Sequence, residues 1–257
     1  MKIQLCTRSS RGNEAPIDQI QNEPPCVGCY ENTTRLLAKL ISAFVFTIQC
    51  ASAANYQNPV LPGDYPDPSV IRVGDEYWAT ATTSEWAPLF PLLRSRDLVN
   101  WEHVGDIFER RPDWAVGNFW APELFEHQGK FYVYYVGRKR GGPLSLAVAT
   151  ADKITGPWTD HGPMIGQDAG SIDAFPVVDT VGTRYMIWKE DGNSRKQPTP
   201  LWIQKLSADG LKLIGEMKEL FRNDKEWENN LVEGPAVIRR GDFSLTARRS
   251  TKAAKTV

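Results

Sequence analysis

Four acidic residues stand beside prolines that recur along the chain. Asp67 lies in YPDPSV, Asp173 in GSIDAFPV and Glu233 in LVEGPAV, each within three positions of a proline, while Glu123 follows its proline in WAPE. Any one of these segments is an ordinary turn sequence. Brought together beside Phe119, Trp120 and Phe175, they would form a ring of carboxylates facing an aromatic wall. Like charges crowded in a partly dry pocket push their pKa values apart, so that one carboxyl stays protonated near neutral pH while another is ionised. Glycoside hydrolysis needs that division of labour: an acid for the departing oxygen and a base for the attacking water. Indole also packs against the C–H faces of sugar rings, which would give Trp120 a function; a place in the core is the other reading of Trp120.

Residues far apart in sequence can meet in this way only if the chain repeats around an axis. Four segments read alike: PSVIRVGDEYWATA from Pro68, PELFEHQGKFYVYYV from Pro122, PVVDTVGTRYMIWKE from Pro176 and PAVIRRGDF from Pro235. Their prolines are 54, 54 and 59 residues apart, and their turn glycines, Gly74, Gly129, Gly182 and Gly241, are 55, 53 and 59 apart. Each unit is a strand, a glycine turn and an aromatic-led strand. A further strand is expected over Leu92 to Ser95, Leu144 to Ala149 and Leu201 to Leu206. The segments NWEHVG and PWTDHG close two of the units alike. A repeat of about fifty residues with three to four strands is the pattern of a β-propeller blade, whose innermost strands surround the central depression. The fold class expected is all-β, of β-propeller type.

Charge and cysteine content narrow the choice of partner. The net charge of −1 is the balance of 30 basic and 31 acidic residues. Residues 1–54 carry +1 and residues 239–257 carry +5, leaving −7 for residues 55–238. That balance suits a neutral substrate and argues against nucleic acid. All four cysteines, Cys6, Cys26, Cys29 and Cys50, precede residue 55. Cys26 and Cys29 have the spacing of half a metal site, without a second pair or a nearby histidine, so neither a metal nor a cofactor is expected. Arg35, Lys39, an apolar run from Leu40 to Ile48 and then Cys50-Ala51-Ser52-Ala53 follow the order of a secretory signal. The run is too short to span a bilayer. Secretion or delivery to the periplasm is the expectation, with a buried helix of a cytosolic protein as the alternative.

The motif set NPVLPGDYPDPSVI, FWAPELFEHQGKFYVYYV, GSIDAFPV and VEGPAVIRRGD, in that order, resembles glycoside hydrolase family 43, five-bladed β-propeller enzymes acting on arabinose- and xylose-containing polysaccharides. The resemblance covers residues 58 to 242. It implies Asp67 as general base, Glu233 as general acid and Asp173 as the carboxylate that tunes and orients the acid. Trp120 matches the sugar platform, with Phe119 and Phe175 as further substrate-binding residues. It also implies inversion at the anomeric carbon, for which base and acid stand about 6.5–9.5 Å apart with a water between them. The segment WKEDGNS, Trp188 to Ser194, is similar to a variant within the family and has no assigned role. His103, His127 and His161 do not match the histidine of the family's fifth blade.

The expected organisation is an N-terminal extension over 1–34, a signal-like segment over 35–54, an incomplete propeller over 55–242 with about four blades and the last unfinished, and a basic tail over 243–257. That tail, SLTARRSTKAAKTV after Phe243, has no aromatic residue and no alternation, and it reads as lying outside the repeat, as a frame change would produce. A missing blade leaves apolar faces uncovered, so the chain as given is expected to be unstable or nearly inactive. An inactive remnant or sugar-binding propeller is therefore the alternative to an enzyme. A fructan-cleaving relative with a retaining nucleophile is a third reading.

Overall fold

The computed structural model describes residues 56–240 and 243–250, with side chains described over 56–238. The expected extension, the signal-like segment and the four cysteines lie outside the described residues.

The repeats become antiparallel sheets. The first is β1 (Ser69–Val73), β2 (Glu76–Thr80), β3 (Leu89–Ser95) and β4 (Trp101–Phe108), and the second is β5 (Trp120–His127), β6 (Lys130–Arg138), β7 (Leu144–Ala151) and β8 (Thr159–Ile165). The third is β9 (Ser171–Val178), β10 (Arg184–Glu190), β11 (Leu201–Leu206) and β12 (Leu213–Phe221). Strands β13 (Val232–Arg240) and β14 (Phe243–Ser250) pair as a two-stranded sheet. Each sheet runs in chain order, the meander of a propeller blade. The described residues thus supply three full blades and the first two strands of a fourth, in the five-bladed type of fold.

The turn glycines act as the repeat implied. Gly74, Gly129 and Gly182 have φ of 62°, 76° and 85°, in the region that only glycine enters freely. Gln128 joins Gly129 at positive φ in the two-residue turn between His127 and Lys130, as a type I′ hairpin requires. One expectation is corrected at the other end. The stretch after residue 242 forms β14, with Arg240 opposite Phe243 and Val232 opposite Ser250. Backbone pairing across a turn is open to any run of non-proline residues, so a strand does not depend on aromatic alternation.

The core lies between the blades. Leu89, Phe90, Phe119, Val133 and Tyr135 join the first blade to the second, and Tyr134, Val148, Met186 and Trp188 join the second to the third. The inner strands are tied directly as well: the Leu124 N–H of β5 donates to Ser69 Oγ of β1 at 3.0 Å. Beside the third blade, the Val232 N–H of β13 donates to Thr199 Oγ1 at 2.8 Å. No helix among the described residues is long and apolar enough to cross a membrane.

Candidate active site

The inner strands carry irregularities where the acidic residues lie. Pairing slips between Trp120 and Glu123 on β5, at the level of Asp173 on β9, and between Glu233 and Ala236 on β13. Such bulges re-aim side chains that regular alternation would send elsewhere. Asp67, Ala121, Asp173 and Gly234 have φ of 50°, 38°, 56° and 59°, so each inner strand has a left-handed residue at its cavity end. A non-glycine residue there stores about 1–3 kcal/mol, retained where the surroundings over-determine it.

The ends of the four strands surround a cavity of about 770 Å³, into which Asp67, Glu123, Asp173, Asp191, Glu233 and Lys189 project alongside Trp120 and Phe175. Five carboxyl groups thus share the space with one ammonium. Asp67 is held by a relay: Thr82 Oγ1 donates to Asp67 Oδ2 at 2.8 Å and accepts from the Ala121 N–H at 2.7 Å. The hydroxyl therefore couples the start of β1 to the bulge of β5. Asp173 Oδ2 accepts the Gly234 N–H at 2.9 Å, gripping the backbone next to Glu233. Glu233 Oε2 accepts from Lys189 Nζ at 3.2 Å, and the same ammonium donates to Asp191 Oδ1 at 3.0 Å.

Two carboxyls are pushed above their ordinary range. Burial raises Asp173 to about 6, with the charges of Glu233 and Asp67 adding to the rise and the Gly234 N–H and Lys189 opposing it. Burial raises Glu123 to about 7, against a hydrogen bond from Ser69. For both groups the leading cause is desolvation, and neighbouring carboxylates add to the rise only at Asp173.

The structure brings Asp67, Asp173, Glu233, Trp120 and Phe175 together at this cavity, and it excludes Phe119. That side chain is fully buried and meets Phe90 edge-on at 6.2 Å between ring centroids, within the core between the first two blades. Trp120 and Phe119 are adjacent, and a strand sends successive side chains to opposite faces, so only Trp120 faces the cavity. Phe119 supports the wall through its backbone instead, its carbonyl accepting the Thr83 and Ser84 N–H groups at 3.2 and 3.0 Å. The three histidines do not line the cavity. Among the described residues, no three His, Cys, Asp or Glu side chains are grouped to hold a metal ion.

Sequence reasoning missed Thr82, Lys189 and Asp191. Thr82 carried no signal. Lys189 carried one: a lysine at the end of the apolar run Tyr185 to Trp188 is either exposed or buried against acids, and it is 1% exposed. Gly192 shapes the turn that follows, since a Cβ there would lie 2.1 Å from the Pro198 carbonyl oxygen.

Comparison with known proteins gives the family. Residues 56–255 match the family described as Glycosyl hydrolases family 43. The chain is 34% identical over 213 residues to a xylan 1,3-beta-xylosidase of a Vibrio species, covering 76% of this chain and 38% of that protein. It is 33% identical over 213 residues to xylosidase/arabinosidase 43B of Humicola insolens, with the same coverage of 76% and 38%. A thermostable family-43 glycoside hydrolase of known crystal structure superposes with a TM-score of 0.67 at 26% identity, over 77% of this chain and 67% of that one. The chain spans under two fifths of the length of these two curated relatives.

Proposed function

Since the chain belongs to glycosyl hydrolases family 43, we propose that it is an inverting glycosidase of arabinose- or xylose-containing plant polysaccharides or oligosaccharides, and that the cavity at the inner strand ends is its active site. The observation that carries this reading is the convergence of Asp67, Asp173 and Glu233 on one cavity beside Trp120 and Phe175. The names of the two relatives, a xylosidase and a xylosidase/arabinosidase, support the choice of pentose.

Asp67 takes a proton from a water as that water attacks the anomeric carbon. Glu233 gives its proton to the departing glycosidic oxygen as the carbon–oxygen bond breaks on the opposite face. Inversion at the anomeric carbon follows. Thr82 fixes the orientation of Asp67, and Asp173 acts on Glu233 through the Gly234 backbone. Trp120 and Phe175 pack on the sugar ring. The order of Arg35, Lys39, Leu40 to Ile48 and then Cys50-Ala51-Ser52-Ala53 supports a secreted or periplasmic enzyme.

The test is release of phenol, a leaving group that needs a proton, from phenyl β-D-xyloside and phenyl α-L-arabinofuranoside by the full chain, beside Glu233→Ala. Release by the unaltered chain and its loss in the variant is the expected result. Equal release by both, or none by a folded chain, contradicts the reading.

A further inference from the structure

Lys189 is 1% exposed, and the catalytic roles proposed above leave it unused. A buried ammonium is costly unless compensated. Two of its three N–H donors go to Asp191 at 3.0 Å and Glu233 at 3.2 Å. Neither contact is needed to hold the blade together, because β10 is already paired on both sides, with β9 and β11. The charged groups that share the cavity with Glu233 are Lys189 of β10, Asp173 of the β9 bulge, Glu123 of β5, Asp67 ahead of β1 and Asp191, the second partner of the lysine.

From these contacts we infer that Lys189 is a positioning residue for the general acid, and that Asp191 is the counter-charge that lets it act as one. An ammonium beside a carboxyl favours the ionised form, which cannot donate a proton. Asp191, the nearer partner, offsets the positive charge, so that Lys189 holds Glu233 in direction without imposing a net positive field on it. The turn containing Gly192 and Asn193 keeps Asp191 in place: its N–H donates to the Gly170 carbonyl at 2.9 Å, and its own carbonyl accepts from Ser194 Oγ at 2.9 Å. The segment WKEDGNS thereby gains a role, that of aiming the proton at the leaving oxygen.

This inference rests on Glu233 being the acid, and its test separates the two claims. Alignment of an acid matters only when the leaving group needs a proton. Lys189→Met should therefore slow hydrolysis of an unactivated alkyl or sugar leaving group on the order of 100-fold, the usual worth of general acid catalysis. It should slow a 2,4-dinitrophenyl glycoside, which departs without a proton, by less than about threefold. Asp191→Asn leaves the ammonium uncompensated and should give the same leaving-group dependence at smaller size, which keeps the test open if Lys189→Met does not fold. A crystal structure of either folded variant should show the Glu233 carboxyl displaced, a result that needs no turnover. A uniform loss over both leaving groups, or an unmoved Glu233, overturns the inference while leaving the glycosidase reading intact. Failure of the unaltered chain to hydrolyse either substrate counts against the glycosidase reading, and the position of Glu233 in the variants still decides the role of Lys189.

Discussion

Replacement of Glu123 by glutamine should stabilise the protein increasingly as pH rises from about 4.5 to about 7, and not below that range. The carboxyl sits on β5 at the bulge, half-buried at the cavity wall, and burial raises it from an ordinary 4.5 to about 7. A carboxyl held above its unfolded value favours folding while it is protonated. Its contribution is complete below pH 4.5 and is lost as pH rises through about 7. At pH 8 the folded protein must keep an ionised carboxylate that it solvates less well than water does. The displacement from 4.5 to about 7 corresponds to a cost of at most about 3 kcal/mol. Glutamine has the same shape, can accept the same hydrogen bond from Ser69, and carries no charge. The assay is urea denaturation of the full chain and of Glu123→Gln at pH 4 and pH 8. The variants should coincide at pH 4 within about 0.5 kcal/mol, and at pH 8 the glutamine form should be more stable by about 1–3 kcal/mol. A difference independent of pH, or a glutamine form that is weaker at pH 8, would refute the claim that desolvation governs this group.

Other variants probe the supports of the site. Thr82→Val leaves the Ala121 N–H without its 2.7 Å acceptor and frees Asp67; it should cost about 1–3 kcal/mol in denaturant melts and lower kcat on the order of tenfold. Asp173→Asn keeps an acceptor for Gly234 but removes a carboxyl raised to about 6. Its stability relative to the unaltered chain should therefore rise as pH passes from 4 to 7 in melts, while turnover falls at every pH. Gly192→Ala meets the Pro198 carbonyl oxygen at 2.1 Å and should lose about 1–3 kcal/mol by opening the turn. Turnover of substrates with unactivated leaving groups should fall with it, read against 2,4-dinitrophenyl glycosides.

The blades were legible because a propeller repeats a whole supersecondary unit, and the prolines and turn glycines recur at one period. The convergence of Asp67, Asp173 and Glu233 on one cavity was legible for the same reason: they keep near-equivalent places in the unit. What pattern could not supply was the detail added by irregularity. Phe119 and Trp120 are neighbours with opposite destinations, and positive φ at Asn118 and Ala121 disturbs the alternation on either side, so the sequence does not reveal which ring faces the cavity. Thr82 acts on a backbone N–H 39 residues away, and Lys189 meets Glu233 across 44 residues; neither partner is signalled by local spacing. Strand β14 was hidden because its pairing is a property of backbone, and its residues lack the aromatic pattern of the other repeats.

The roles proposed for Asp67 as base and Glu233 as acid require that water attack from the face opposite the departing oxygen. The most direct measurement is the anomeric configuration of the first sugar released by the full chain, followed by proton NMR before mutarotation. The expected product has the configuration opposite to that of the substrate, with its formation abolished in Glu233→Ala. A first product that retains the substrate's configuration would require a covalent intermediate on a carboxylate and would contradict the assignment of Asp67 as base and Glu233 as acid.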